Sequence, residues 1–169
     1  KSKTKDINKA IHCIWYCVDS NSGKIEEIEQ KIISSFQNIP VFIVLTKSIN
    51  QNNINEMMRN IELTKMNVKY VVQILSKKMK NNEPFGINNL IYYTIYSIPS
   101  NIDYIGYKNK EEEYKKNIII TGRTGVGKST LVNTILGEEK AKSGIYKSIT
   151  QEIEEFDSER SPYHVFDTP

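Results

Sequence analysis

Cysteine is scarce in this chain of 169 residues: there are two, Cys13 and Cys17, set about Trp15 and Tyr16 in an apolar run. With only two histidines beside them, no Cys/His pattern completes a metal site. On a strand, positions 13 and 17 share one face, so the expectation is two buried core thiols in a reducing compartment. No apolar stretch approaches the ~20 residues that a membrane helix needs, and no signal-peptide pattern is visible. Neither sign of charge dominates, the net value being +3, although its placement is uneven. Residues 1–100 hold 13 Lys+Arg against 8 Asp+Glu, and residues 101–169 hold 10 against 12. That basic first part suits an acidic partner such as RNA or lipid headgroups; ordinary solvated lysines explain it better.

What is present suits one soluble α/β domain, with 38% hydrophobic and 25% charged residues. The first hundred residues alternate apolar strands and amphipathic helices. Ile11 to Val18 is a strand candidate rich in β-branched and aromatic residues. The polar turn Asp19–Gly23 opens a helix with Ile25, Ile28, Ile32 and Phe36 at helical spacing. Pro40 precedes a short buried run, Val41–Leu45, and a helix with Ile54, Met57, Met58 and Ile61 on one face follows. Tyr70 to Leu75 forms a third strand, and Gly86 to Ile98 a third helix, stopped at Pro99. Near-continuous apolar strands separated by helices mean parallel strands covered on both faces.

Residues 101–116 (NIDYIGYKNKEEEYKK) are polar without clear period and read as a linker. After them come a strand, Asn117–Thr121, a glycine-rich turn, Gly122–Lys128, and a helix, Ser129–Leu136. Further strand candidates lie near Gln151–Phe156 and Tyr163–Phe166.

The turn spells Gly122-Arg123-Thr124-Gly125-Val126-Gly127-Lys128-Ser129, then Thr130, matching G-x-x-x-x-G-K-[ST] at every fixed position. Glycines let successive backbone N–H groups turn toward one point, and a helix N-terminus adds its positive dipole, so phosphate oxygens are cradled by amides. Lys128 brings a cation to the β- and γ-phosphates, and Ser129 offers a hydroxyl to Mg2+. Downstream, the strand Val165-Phe166 delivers Asp167, placed to hold Mg2+. Between them, Thr150 ends a polar loop suited to closing over the γ-phosphate and metal, and serves equally as the first residue of a strand.

The run GRTGVGKSTLVNTILG, followed by SIT and DTP, resembles the first half of the Era-like and AIG1-like P-loop GTPases, the group that includes 50S ribosome-binding GTPases. The resemblance implies a phosphate loop over Gly122–Thr130, a switch threonine at Thr150, and the start of a D-x-x-G motif at Asp167. Residues IPVFIVLTKS look like the strand ending in the guanine-reading [NT]-K-x-D motif, which gives Thr46 and Lys47. VVQILSKK looks like the strand ending in the S-A-K loop, which gives Ser76 and Lys77. The chain departs from the pattern at Ile49, where the base-reading aspartate would stand, and at Lys77, where an alanine would. A base site without that carboxylate discriminates less strictly.

The order is thus reversed: residues 1–100 as a base-reading half, 101–116 as linker, and 117–169 as a phosphate-loop half. The chain begins at Lys1 rather than Met and stops inside a motif, so a piece of a longer protein is expected. Either a tandem junction, the favoured alternative, or a circular permutant accounts for the order. The sixteen linker residues span up to ~50 Å, enough to let both halves share one sheet. The expected fold is a three-layer α/β/α G domain with six mostly parallel strands. Ile11–Val18 then lies beside Asn117–Thr121, with Gln151–Phe156 as an antiparallel edge. The resemblance implies a cytoplasmic GTP-binding switch that hydrolyses GTP with Mg2+, through Lys128 and Thr150, and answers to a ribosome, RNA or protein effector. The alternatives are a degenerate module acting through partner binding and, last, an ATP-using P-loop protein.

Overall fold

The computed structural model describes residues 11–98, 115–137, 139, 141, 153–158 and 163–168. Ten elements follow in order. They are β1 (Cys13–Asp19), α1 (Glu27–Ser35), β2 (Val41–Thr46), α2 (Gln51–Thr64), β3 (Tyr70–Gln73), α3 (Ile87–Ser97), β4 (Lys116–Gly122), α4 (Lys128–Leu136), β5 (Glu154–Phe156) and β6 (Tyr163–Asp167).

One six-stranded sheet runs β3-β2-β1-β4-β6-β5. All neighbours are parallel except β5, which pairs antiparallel with β6 at the edge. The two parts of the chain meet at its centre, where β1 pairs with β4 from Cys13↔Ile118 to Cys17↔Gly122. The sheet topology and this junction are as the sequence implies. Most of the expected linker, and Thr150, lie outside the described residues; Lys116, assigned to the linker, already belongs to β4.

Strand periodicity divides the core into two layers. Cys13, Trp15 and Cys17 of β1 join Phe42, Val44, Ile118, Ile120 and Val165 under α3 and α4, which contribute Leu90, Leu131 and Val132. Ile14, Tyr16 and Val18 face the other way, with Ile43 and Leu45, against Ile33 of α1 and Met57 and Ile61 of α2. Both cysteines are free, fully buried, and pushed up to about 12 by burial, so they are core thiols. Trp15 fits among them because its indole N–H donates to the Thr94 hydroxyl at 3.0 Å, satisfying a buried donor.

One sequence expectation needs correction. Ile25, just before α1, is buried as expected, but on α1 itself the buried residues are Glu29 and Ile33, while Ile28 and Ile32 are 64% and 39% exposed. A capping box between Glu26 and Glu29, together with a Tyr16 hydroxyl bond to Glu29 at 3.4 Å, turns that helix so that a carboxylate faces inward. His12 accepts from the Asn117 amide at Nδ1 (3.0 Å), while its own amide donates to the Asn117 carbonyl (2.9 Å). It extends the β1–β4 junction by one residue, and burial, with Lys116 nearby, holds its pKa below the usual value.

Candidate phosphate-binding site

Parallel strands present their C-terminal ends along one edge, and in open α/β sheets ligands bind there. On this edge the chain between β4 and α4 folds back on itself through three glycines with positive φ: Gly122 (136°), Gly125 (79°) and Gly127 (106°). At Gly122 a Cβ would stand 2.2 Å from the Cys17 carbonyl oxygen, so only glycine lets β4 turn this close to β1. Around Gly125 nothing lies within 4 Å of an added Cβ, leaving the loop's outer side open. Gly127 is the N-cap of α4 with no side-chain cap, and the first amides of that helix have no intrahelical acceptor and carry the positive end of its dipole.

Lys128, the first residue of α4, is 6% exposed. Its ammonium donates to the carbonyls of Gly122 (2.8 Å) and Arg123 (3.3 Å), spanning the loop from inside. Burial lowers its pKa, and nearby Asp167 opposes that shift. Ser129, the next residue, donates to Asp167 Oδ2 at 3.0 Å. Asp167 ends β6 with no exposure, and its Oδ1 is buried without a hydrogen-bond partner among the described residues. Burial raises the pKa of this carboxyl, while the Ser129 hydroxyl and Lys128 pull it back. A buried carboxylate oxygen with an unused lone pair, beside a hydroxyl at the first turn of a helix, suits a hard divalent cation with oxygen ligands.

The base-side residues reach the same loop. Thr46 at the end of β2 is buried and donates to the Val126 carbonyl at 2.5 Å. Lys47 adopts a left-handed conformation (φ 52°), and its ammonium donates to the Asp19 carboxylate (2.7 Å) and the Gly125 carbonyl (2.9 Å). On the far side of α4, the Thr134 hydroxyl donates to the Ser76 carbonyl at 3.3 Å, and Lys77 lies 3.8 Å from Glu139. Arg123 and Thr124 are exposed at the loop's rim, and the Thr130 carbonyl accepts from Thr134 within α4. The structure thus gathers every described site candidate on one edge. Asp19 escaped the sequence reading, although it ends an apolar strand on this edge, the same signal that singled out Asp167. Burial raises its pKa, but the bonds from Lys47 and Asn21 outweigh that and hold it below the usual carboxylate value.

A strand–glycine loop–helix cradle, a lysine spanning it and a serine–aspartate pair at its mouth define a P-loop nucleotide-binding protein. Residues 117–169 match the family described as 50S ribosome-binding GTPase. GTPase Der of Neisseria meningitidis is 38% identical over an 82-residue alignment, which covers 46% of this chain and 16% of that protein. The crystal structure of YjeQ from Thermotoga maritima superposes with a TM-score of 0.55 at 16% identity, over 95% of this chain and 48% of that one. The chain therefore spans a sixth of the curated relative and about half of the solved one. The second part of the chain, residues 117–169, thus matches a P-loop GTPase family, and the whole chain shares the fold of the solved structure.

Proposed function

We propose that the base-reading half, residues 1–100, and the phosphate-loop half, residues 117–169, form one working G domain, in reversed order, that binds GTP with Mg2+ and hydrolyses it as a molecular switch. The observation carrying this reading is the Ser129 hydroxyl bonded at 3.0 Å to the buried Asp167 carboxylate, beside a lysine that already spans the glycine loop. The amides at the start of α4 receive the phosphate oxygens, and Lys128 exchanges its two carbonyl partners for the β- and γ-phosphates. Ser129 and Asp167 are the residues that would hold Mg2+, whose chemistry there is to neutralise charge between the phosphates. Thr150, outside the described residues, is assigned to the same metal and to closing over the γ-phosphate. Thr46, Lys47, Ser76 and Lys77 border the nucleoside. Catalysis on this reading is positioning and charge stabilisation.

A loop that closes on the γ-phosphate reports the nucleotide state, and its reader is a ribosome, an RNA or a protein effector. A cytoplasmic setting follows from the nucleotide and the reduced thiols. No helix among the described residues is long and apolar enough to cross a membrane.

Titration of the full chain with a fluorescent GTP derivative, with and without Mg2+, tests the proposal, alongside phosphate release at saturating GTP. We expect micromolar, Mg2+-dependent binding, at least a hundredfold weaker in Lys128→Ala, and phosphate release above that of the variant. Unchanged affinity in Lys128→Ala overturns the phosphate-loop assignment. Tight binding without phosphate release leaves the alternative of a binding module that acts through a partner.

A further inference from the structure

On the phosphate-loop reading, a nucleoside tethered to phosphates at the start of α4 would meet the two loops that contact the phosphate loop and that helix. One follows β2 (residues 46–50) and the other follows β3 (residues 74–79). The first loop touches the phosphate loop through Thr46 and Lys47, and the second touches α4 through the Ser76 carbonyl. What these loops offer a base is decided by which of their polar groups are uncommitted.

Neither loop contains an aspartate or glutamate: they read Thr-Lys-Ser-Ile-Asn and Ile-Leu-Ser-Lys-Lys-Met. The Ser48 hydroxyl is buried and donates to the Leu45 carbonyl at 2.8 Å, and the Ser48 amide is committed to the Ile74 carbonyl. The Asn50 side chain caps α2. The Lys47 ammonium is held by Asp19 and by the Gly125 carbonyl, so its methylenes, rather than its charge, are left to face a ring. Lys77 is paired with Glu139, itself 86% exposed, and Ile49 is half-buried and apolar.

Guanine and adenine share a flat apolar face and differ at one edge. Guanine presents two adjacent donors, N1–H and the exocyclic amine, with a carbonyl beside them; adenine presents a ring acceptor and one amine. Large discrimination comes from buried polar groups that the wrong base leaves unpaired. Here no carboxylate stands in either loop to accept from both guanine donors, the Ser48 and Lys47 side chains are committed elsewhere, and the phosphate cradle reads no base at all.

We propose that this nucleotide site is blind to the identity of the purine and takes ATP as well as GTP, the base being held by apolar contact with Lys47 methylenes and Ile49. The inference rests on the phosphate-loop reading above and adds the substrate range of that site.

The test is competition, with Mg2+, between unlabelled GTP and ATP for a fluorescent GTP derivative bound to the full chain. Affinities within about tenfold of one another are expected. In Ile49→Asp, with folding checked by circular dichroism, GTP should gain on the order of a hundredfold or more over ATP. A hundredfold GTP preference in the unmodified chain overturns the inference while leaving the phosphate site standing. Failure of both nucleotides to bind overturns the phosphate-site reading itself, and this inference with it. The unmodified chain decides the matter even if the variant does not fold.

Discussion

The hydroxyl of Thr46 donates to the main-chain carbonyl of Val126 at 2.5 Å, joining residues eighty positions apart at the heart of the glycine loop. The same hydroxyl lies 3.1 Å from the Val18 carbonyl, so one side chain touches the ends of β1 and β2 and the phosphate loop together. Thr46→Val keeps the shape and removes the donor, leaving a buried carbonyl unsatisfied. Stability should fall by about 1–3 kcal/mol in urea unfolding. GTP affinity should fall with it, since the loop loses a support. Unchanged midpoint and unchanged affinity would show that the two parts of the chain do not depend on this bond.

Gly122 and Gly125 separate structural from ligand-facing demands on the loop. An alanine at 122 meets the Cys17 carbonyl at 2.2 Å, backbone against backbone, where neither side can yield. Gly122→Ala should therefore cost about 4 kcal/mol or more, or fail to fold. Gly125→Ala meets no neighbour and carries only the left-handed backbone strain of about 1–2 kcal/mol. It should fold, with weakened phosphate binding. Circular dichroism melts and nucleotide titration of the two variants separate these outcomes.

Asp19 makes the fold sensitive to acid. Its carboxyl is held below the ordinary value by Lys47 and Asn21, so the native state binds its proton less readily than the unfolded chain. The contribution is present above the ordinary carboxylate pKa of about 3.9 and is lost as pH falls through the lower native value. In Asp19→Asn that part of the acid limb disappears. Urea unfolding at pH 7 and pH 3 should show a smaller difference for the variant than for the parent; equal differences would remove Asp19 from the acid response.

Asp167 shows the opposite sign. Burial raises its pKa above the ordinary value, so its ionised form destabilises the nucleotide-free fold as pH rises through the native pKa. Asp167→Asn should melt at the same or a higher temperature near neutral pH. Its GTP affinity should no longer respond to Mg2+. Lower stability together with retained Mg2+ dependence would mean that the carboxylate is structural.

Much of the architecture was legible in order along the chain. Apolar runs without alternation announced strands buried on both faces, and Gly122–Ser129 between a strand and a helix announced the phosphate cradle. These are local properties: a glycine requirement, a helix start and a strand period are each set within a few residues. That local logic also placed Asp167 at a strand end, while the family resemblance supplied Thr46, Lys47, Ser76 and Lys77 on the same edge. It failed on α1, where the expected Ile28 and Ile32 and the observed Glu29 and Ile33 fit a helical period alike. Only the contact of Glu29 with Tyr16 and Glu26 selected the inward face. Tertiary structure alone decided that His12 meets Asn117, and that Lys47 pairs with Asp19 while also reaching the Gly125 carbonyl. These are pairings between residues tens of positions apart. Their energies depend on a geometry that exists only once the sheet has closed around its centre.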